Sequence, residues 1–365
     1  MIAALLAAAA VSAPCDLEKP TGAAGCTRAA VDAVPMNRLQ TVGTHNSYKV
    51  AIAPNEMATL KAVNPAAAVT LDYAHPPLRQ QLDAGARQLE IDVVNDPAGG
   101  LYATPLGYRM VGAAAVPYDF APLKGPGLKV IHVPDVDYRS TCPTFVGCLA
   151  EVRAWSLAHP DHLPILILMN LKEEGVRLPG AVAPPPFDAA ALNGLDAEIR
   201  SVFPEAALIT PDQVQGARAT LREAVAAGGW PLLEAARGRV MFACDCTPDQ
   251  VARYRGARRA LEGRVAFVNT EETSPAAGYI TLNEPKEQSA RIAAAVKAGL
   301  IVRTRADADT HEARSGDTTR RTAAFASGAQ YVSTDFMTPD QRFGTYVVTL
   351  PGGGTGRLSP VATGR

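Results

Sequence analysis

The 365-residue sequence contains no Lys/Arg-rich run, and its 35 basic residues nearly cancel 36 acidic ones to a formal net charge of -1. A nucleic-acid surface normally shows as a basic stripe, so that class of partner is excluded. Long hydrophobic runs are also missing. The longest begins Met1-Ile2-Ala3-Ala4-Leu5-Leu6, stays apolar and small through Ala13, and is well short of the ~20 residues that span a bilayer. It fits the apolar segment of a secretory signal, although no basic residue precedes it and Pro14 follows the best small-residue site. We read residues 1–13 as a signal peptide and expect a secreted or periplasmic protein; cleavage after Ala10 and a short N-terminal helix are the competing readings. Zinc-type Cys-x₂-Cys spacing is lacking too. The six cysteines instead fall as three close pairs, Cys15/Cys26, Cys142/Cys148 and Cys244/Cys246, which in an exported chain suggests disulfides. The first two pairs flank loops that close easily. The third is doubtful, because i and i+2 on an extended strand lie roughly 6–7 Å apart, near the upper limit for a bridge.

What is present is a large apolar fraction, 47%, arranged as short β-branched runs alternating with Ala-rich amphipathic stretches. Strands are expected at 39–43, 88–93, 129–132, 165–171, 240–243, 265–268, 301–304 and 330–333, and helices at 78–84, 148–158, 189–202, 247–253, 287–298 and 318–327. Eight strands in this alternation predict a (β/α)₈ TIM barrel. A doubly wound open sheet fits the alternation as well, but Gly43-Thr44-His45 is not the Gly-rich phosphate loop it would carry after its first strand. We expect one barrel domain over 14–349 and a flexible, Gly-rich tail over 350–365. Two long stretches, 96–127 and 175–187, fit neither element and are expected to cover the barrel mouth.

Catalytic groups in a barrel come from the C-terminal ends of its strands. Those ends carry His45 and Asn46, then Glu90 and Asp92, then His132, then Asn170 and Lys172, and finally Arg303, Arg305 and Asp335. Glu90 and Asp92, two apart, share one side of their strand, and carboxylates crowded together need a cation or donors between them. With an Asn amide from Asn46 they suit a hard cation, Ca²⁺ or Mg²⁺. The plainer reading is a buried Glu90 paired with Arg87 or Arg303. His45 and His132 titrate near neutrality and suit proton transfer on a phosphodiester. A lone histidine at a strand end is more often structural, and two on different strands beside paired carboxylates shift that balance. His75, His159, His162 and His311 read as structural or exposed.

The stretches Gly43-Thr44-His45-Asn46-Ser47-Tyr48, Leu89-Glu90-Ile91-Asp92, Val130-Ile131-His132 and Pro164 through Asn170, with Val302-Arg303-Thr304-Arg305-Ala306-Asp307 and Val332-Ser333-Thr334-Asp335, appear in an order that resembles the calcium-dependent phosphatidylinositol-specific phospholipases C, most closely their bacterial secreted branch. The resemblance spans about residues 36–336 and implies a distorted TIM barrel of the phospholipase C-like phosphodiesterase type. It implies attack of the inositol 2-hydroxyl on the adjacent phosphorus, giving diacylglycerol and a cyclic inositol phosphate. On the same grounds His45 and His132 are the acid–base pair, with the base unassigned. Asn46, Glu90, Asp92 and Asn170 are calcium ligands, Lys172, Arg303 and Arg305 bind phosphate, and Asp335 orients His45. Many family members carry Glu at the position of Asn170, so calcium affinity is expected to be lower here. The implied partners are a phospholipid or inositol phosphodiester and a transient membrane surface, with residues 102–118 as the expected docking region of a monomer. A glycerophosphodiester phosphodiesterase is the nearest alternative, but its His-Arg-Gly motif is replaced by His45-Asn46-Ser47. A non-catalytic headgroup-binding barrel would be expected to lose one of the histidines or carboxylates.

Overall fold

The computed structural model describes residues 15–361, so the expected signal peptide lies outside the described residues. Eleven strands are present among them: β1 (Leu39–Thr44), β2 (Gln88–Val94), β3 (Lys129–Val130), β4 (Ile165–Lys172), β5 (Leu208–Ile209), β6 (Val240–Cys244), β7 (Ala266–Val268), β8 (Tyr279–Thr281), β9 (Ile301–Arg305), β10 (Tyr331–Thr334) and β11 (Gly356–Leu358). Eight of these run parallel in a ring, β1-β2-β4-β6-β7-β8-β9-β10 and back to β1. The strands are buried on both faces. Leu89, Ile91 and Val93 alternate along β2 with the polar Glu90 and Asp92, so one face serves the core and the other the site.

The ring is uneven. β2 and β4 pair along their whole length, from Gln88↔Leu166 to Val94↔Lys172. β1 and β2 pair only at Gly43↔Gln88, and β7 meets β8 through a single bridge, Asn269↔Tyr279. At the β1–β2 seam a Cβ on Gly43 would come within 2.4 Å of the Gln88 side chain, so glycine is required there. Beyond this point the strands diverge. β3 pairs antiparallel with Val93 and Val94, and because β4 occupies the other edge of β2, β3 takes the edge that faces β1. The fold is thus a distorted TIM barrel with a wedge at its mouth.

Three expectations need correction. The stretch 129–132 is not a ring strand but a two-residue antiparallel one, and His132 lies past its end. The eighth ring member is Tyr279–Thr281, three residues long and too short to stand out as a periodic run. Residues 350–361 are ordered: Gly356–Leu358 pairs antiparallel with Leu39–Thr41, and Leu17 N donates to Gly356 O at 2.8 Å. The Gly-rich composition there serves a turn that returns the chain to a sheet edge. The third cysteine pair is bonded, like the other two, because the chain bends after β6 and brings the Cα atoms of Cys244 and Cys246 to 5.1 Å.

Helices cover the outside. Phe145–Ala158 buries Phe145, Leu149 and Val152, while Ala189–Val202 buries Leu192, Leu195 and Ile199 at helical spacing. The Thr144 and Asp188 side chains accept from the Gly147 and Ala191 amides and fix their starts. The insertion over 96–127 contains the helix Leu106–Val111 and packs its own small core of Val94, Tyr102, Leu123, Ile131 and Tyr138. Among the described residues no helix is long and apolar enough to cross a membrane.

Candidate active site

The site grows from the end of β1. Thr44 is the last strand residue, and Asn46 takes a left-handed backbone (φ 48°), which Asn tolerates better than most residues. The turn is locked to β2 by Ser47, whose N donates to Glu90 O at 2.9 Å and whose Oγ accepts from Glu90 N at 2.8 Å. Gln81 holds the same turn from outside, its Nε2 donating to Ser47 O at 2.6 Å. The Thr-His-Asn-Ser sequence is therefore a joint that aims His45 and Asn46 across the mouth beside Glu90.

His45 Nδ1 lies 2.8 Å from Asp335 Oδ1, and its Nε2 lies 3.8 Å from Glu90 Oε1. A carboxylate on Nδ1 favours the imidazolium. Burial, followed by the Arg305 and Arg303 guanidiniums, outweighs it and holds the ring well below its usual range, neutral. Arg305 Nη2 donates to the other Asp335 oxygen at 3.2 Å. Asp335 N donates to Asp307 Oδ1 at 2.8 Å, and burial beside Asp335 pushes the Asp307 carboxyl up.

His132 repeats the arrangement with different parts. Its Nδ1 lies 2.8 Å from Asp137 Oδ2, and the fully buried Lys49 Nζ reaches the same oxygen at 3.3 Å. Burial works to raise Asp137, but Lys49 and His132 win and hold it below the usual carboxylate range. Tyr73 joins the two histidines. It stacks on the His45 ring at 6.1 Å between centroids and meets His132 edge-on at 6.4 Å, and its hydroxyl accepts from Asn46 Nδ2 at 2.7 Å.

Of the remaining expected residues in the same mouth, Glu90, Asp92, Lys172 and Arg303 are already ion-paired. Glu90 is ion-paired with Arg303, which also donates to Asn283 Oδ1 at 2.6 Å. The plainer reading of Glu90 thus holds in part, with Arg303 as its partner; Arg87 pairs with Glu18 instead. Lys172 Nζ lies 2.8 Å from Asp92 Oδ2, and Asn170 stands directly opposite Asp92 on β4. The ammonium is close but poorly aligned, so both buried Asp92 oxygens lack a hydrogen-bond partner. His75 is buried and its Nε2 lies 2.8 Å from His45 O, a bracing role. His162 is buried as well.

Sequence reasoning missed Asp137, Lys49, Tyr73 and Asp245. Asp137, five residues after His132, was legible as a local His–Asp pair. Asp245 follows β6, and its carboxyl is pushed up by burial, which the nearby Arg303 only partly offsets, while Asn269 Nδ2 donates to it at 3.2 Å.

The family described as phosphoinositide phospholipase C, Ca2+-dependent, matches residues 34–360. The chain belongs to this family. Its fold resembles a calcium-dependent phosphoinositol-specific phospholipase C from a Gram-negative Pseudomonas species (TM-score 0.55, 14% identity, 89% of this chain and 96% of that one). It also resembles the Ca²⁺-dependent phosphatidylinositol-specific enzyme from Streptomyces antibioticus (TM-score 0.51, 19% identity, 83% and 95% covered). No curated protein matches the sequence significantly. As a member of the calcium-dependent phospholipase C family the chain is a phosphodiesterase, and the family description names calcium rather than magnesium. The donor set fits such a cation in kind: two carboxylates and two amides, all hard oxygen donors, with both Asp92 oxygens unsatisfied. It fits less well in charge, because Arg303 and Lys172 already match Glu90 and Asp92.

Proposed function

We propose that this phospholipase C cleaves phosphatidylinositol-type lipids by attack of the inositol 2-hydroxyl on the adjacent phosphorus, with His45 as base and His132 as acid. The observation that carries the reading is the pair of histidines, each with Nδ1 committed to a carboxylate and both against Tyr73. Fixing Nδ1 leaves Nε2 as the proton-transferring nitrogen of each ring. The 2-hydroxyl gives its proton to His45 Nε2 as its oxygen bonds to phosphorus. The bond from phosphorus to the glycerol oxygen breaks, and His132 Nε2 protonates that oxygen. The products are diacylglycerol and a cyclic inositol phosphate. The nucleophile belongs to the substrate, so positioning supplies much of the acceleration.

Asp335 holds His45 in one tautomer and Asp137 does the same for His132. Arg305, paired with Asp335, Lys172, paired with Asp92, and Arg303, paired with Glu90, would contact the phosphate. Asn46, Glu90, Asp92 and Asn170 would hold calcium. When bound, the ion offsets charge on the phosphate and lowers the pKa of the attacking hydroxyl. Three disulfides support a secreted or periplasmic location. We take the enzyme to act as a monomer.

The test is a substrate panel. Diacylglycerol release from phosphatidylinositol, with none from phosphatidylcholine, is expected. Hydrolysis of glycerophosphodiesters to glycerol phosphate, with phosphatidylinositol untouched, would overturn the reading in favour of a glycerophosphodiesterase.

A further inference from the structure

At the end of the ring opposite the mouth lies a solvent-open hollow of about 700 Å³, lined by Arg153, Ser156, Pro204, Ala207, Arg237 and Arg239. Arg153 and Ser156 lie on the last turns of Phe145–Ala158, Pro204 and Ala207 precede β5, and Arg237 and Arg239 precede β6. Strands begin here. β4, eight residues long, separates this end from the mouth by roughly 23 Å, so a headgroup held at the mouth does not reach the hollow.

The three guanidiniums are unequally matched. Arg237 is a buried structural group: Nε donates to Asp32 Oδ1 at 2.8 Å, Nη1 to Asp161 O at 3.1 Å and Nη2 to Leu17 O at 2.7 Å. Arg239, two residues on, has only neutral partners. It donates to Ala235 O at 3.2 Å, to Leu208 O and to Gln213 Oε1, while its buried Nε has no partner. Burial pushes this guanidinium down, and Glu205 offsets that only in part. Arg153 stands over the Phe203 ring, 5.9 Å from its centroid, with neither a hydrogen bond nor an ion pair among the described residues. Two of the three positive charges on the hollow therefore lack a carboxylate.

The turn that carries Arg239 is rigid. Gly238 has a left-handed backbone (φ 68°), its N donates to His162 O at 3.0 Å, and a Cβ there would come within 2.5 Å of Pro160 O. Ser156 Oγ braces the same turn, donating to Gly238 O at 3.4 Å. Donors fixed in advance lose little freedom when a ligand arrives.

We propose that this hollow binds a phosphate-bearing solute, inorganic phosphate or a small phosphate monoester, through Arg153 and Arg239. The planar guanidinium fork matches phosphate oxygens, and the partnerless Nε of Arg239 together with the uncommitted Arg153 supplies the donors. Two uncompensated positive charges suit a group that is close to a dianion at neutral pH, as a phosphate monoester is and a single carboxylate is not. The site is separate from the phosphodiester chemistry of the mouth and does not depend on it.

The experiment is modification of the full chain by phenylglyoxal, which attacks guanidiniums, read residue by residue by peptide mass spectrometry. Millimolar glycerol 3-phosphate or inorganic phosphate should slow modification of Arg153 about fivefold, and Arg239→Gln should remove that protection. Chloride at matched ionic strength should not protect, which separates phosphate recognition from screening. Protection at an about tenfold lower concentration of the monoester supports an organic phosphate as the occupant, and equal or better protection by inorganic phosphate supports the free ion. Arg153→Gln should leave phosphatidylinositol turnover unchanged. The wild-type measurement needs no variant, so it decides the matter even where Arg239→Gln does not fold. Arg153 modification unchanged by either phosphate, equal protection by chloride, or full protection retained in Arg239→Gln would overturn the proposal.

Discussion

His45 directly follows a ring strand and meets Asp335, 290 residues further along, whereas His132 stands outside the ring and meets Asp137, five residues along. The first pair exists only when β10 closes against β1. The second is a local turn, bridged Val133↔Asp137, that fills the gap where β1 and β2 part. The two corners also differ in how their charges are balanced. Asp335 shares Arg305 with a second carboxyl, Asp307. Asp137 is the one carboxylate within ion-pair distance of buried Lys49 among the described residues. One corner is thus long-range and redundantly balanced, the other local and singly balanced, and the loop after β1 serves both through Lys49 and Tyr73.

The largest effect should come from the histidines themselves. His45→Ala and His132→Ala should each lower kcat on phosphatidylinositol about 10³-fold, in line with loss of a general acid or base. Near-wild-type turnover in either would dissolve the comparison. Exchange of the two aspartates sharpens it. Asp137→Asn leaves Lys49 buried with only carbonyl partners and should cost roughly 3–5 kcal/mol in urea unfolding, besides lowering kcat. Asp335→Asn leaves Arg305 beside Asp307 and should cost only ~1–2 kcal/mol, with its loss falling mainly on kcat. Equal stability losses would show that the balance at the two corners does not differ.

A control away from the mouth concerns pH. Burial pushes His162 down to about 4, although its Nδ1 contact with Leu163 O at 2.6 Å works the other way. Its folded pKa lies below the unfolded value, so its stability contribution is full above pH ~6.5 and is lost as pH falls towards ~4, about 3 kcal/mol in all. His162→Gln should flatten urea-unfolding stability over that window, with activity at pH 7 unchanged. An unaltered slope would mean that other groups govern acid sensitivity. The smallest effect concerns the cation. Asn170→Glu should tighten calcium binding about tenfold by calorimetry, because it adds charge to a cluster neutralised by Arg303 and Lys172. Unchanged affinity would place Asn170 outside the ligand set.

Most of the ring was legible because its strands are apolar runs bounded by polar ends. Asp335 was found by the same rule that found His45. The rule failed where the chain leaves the ring. The run Lys129-Val130-Ile131 before His132 looked like a strand, yet it serves as a wedge, and a three-residue strand at Tyr279–Thr281 closes the barrel without a periodic signature. The inward turn of Tyr102 was hidden for a similar reason: composition shows which residues an insertion contains, not which way they face. The choice of Arg303 over Arg87 for Glu90, and the pairing of Asp92 with Lys172, depend on side chains from β9 and β4 meeting β2 inside the ring, and no local spacing carries that information.

Phosphorus NMR of the purified protein with phosphatidylinositol vesicles, in calcium and then in excess chelator, tests the central claim most directly. A cyclic phosphodiester resonance that grows with calcium, stops with chelator and is absent for His45→Ala is the predicted result. Turnover that yields only an acyclic phosphate from the first time point, or a cyclic product that persists undiminished in His45→Ala, would contradict it.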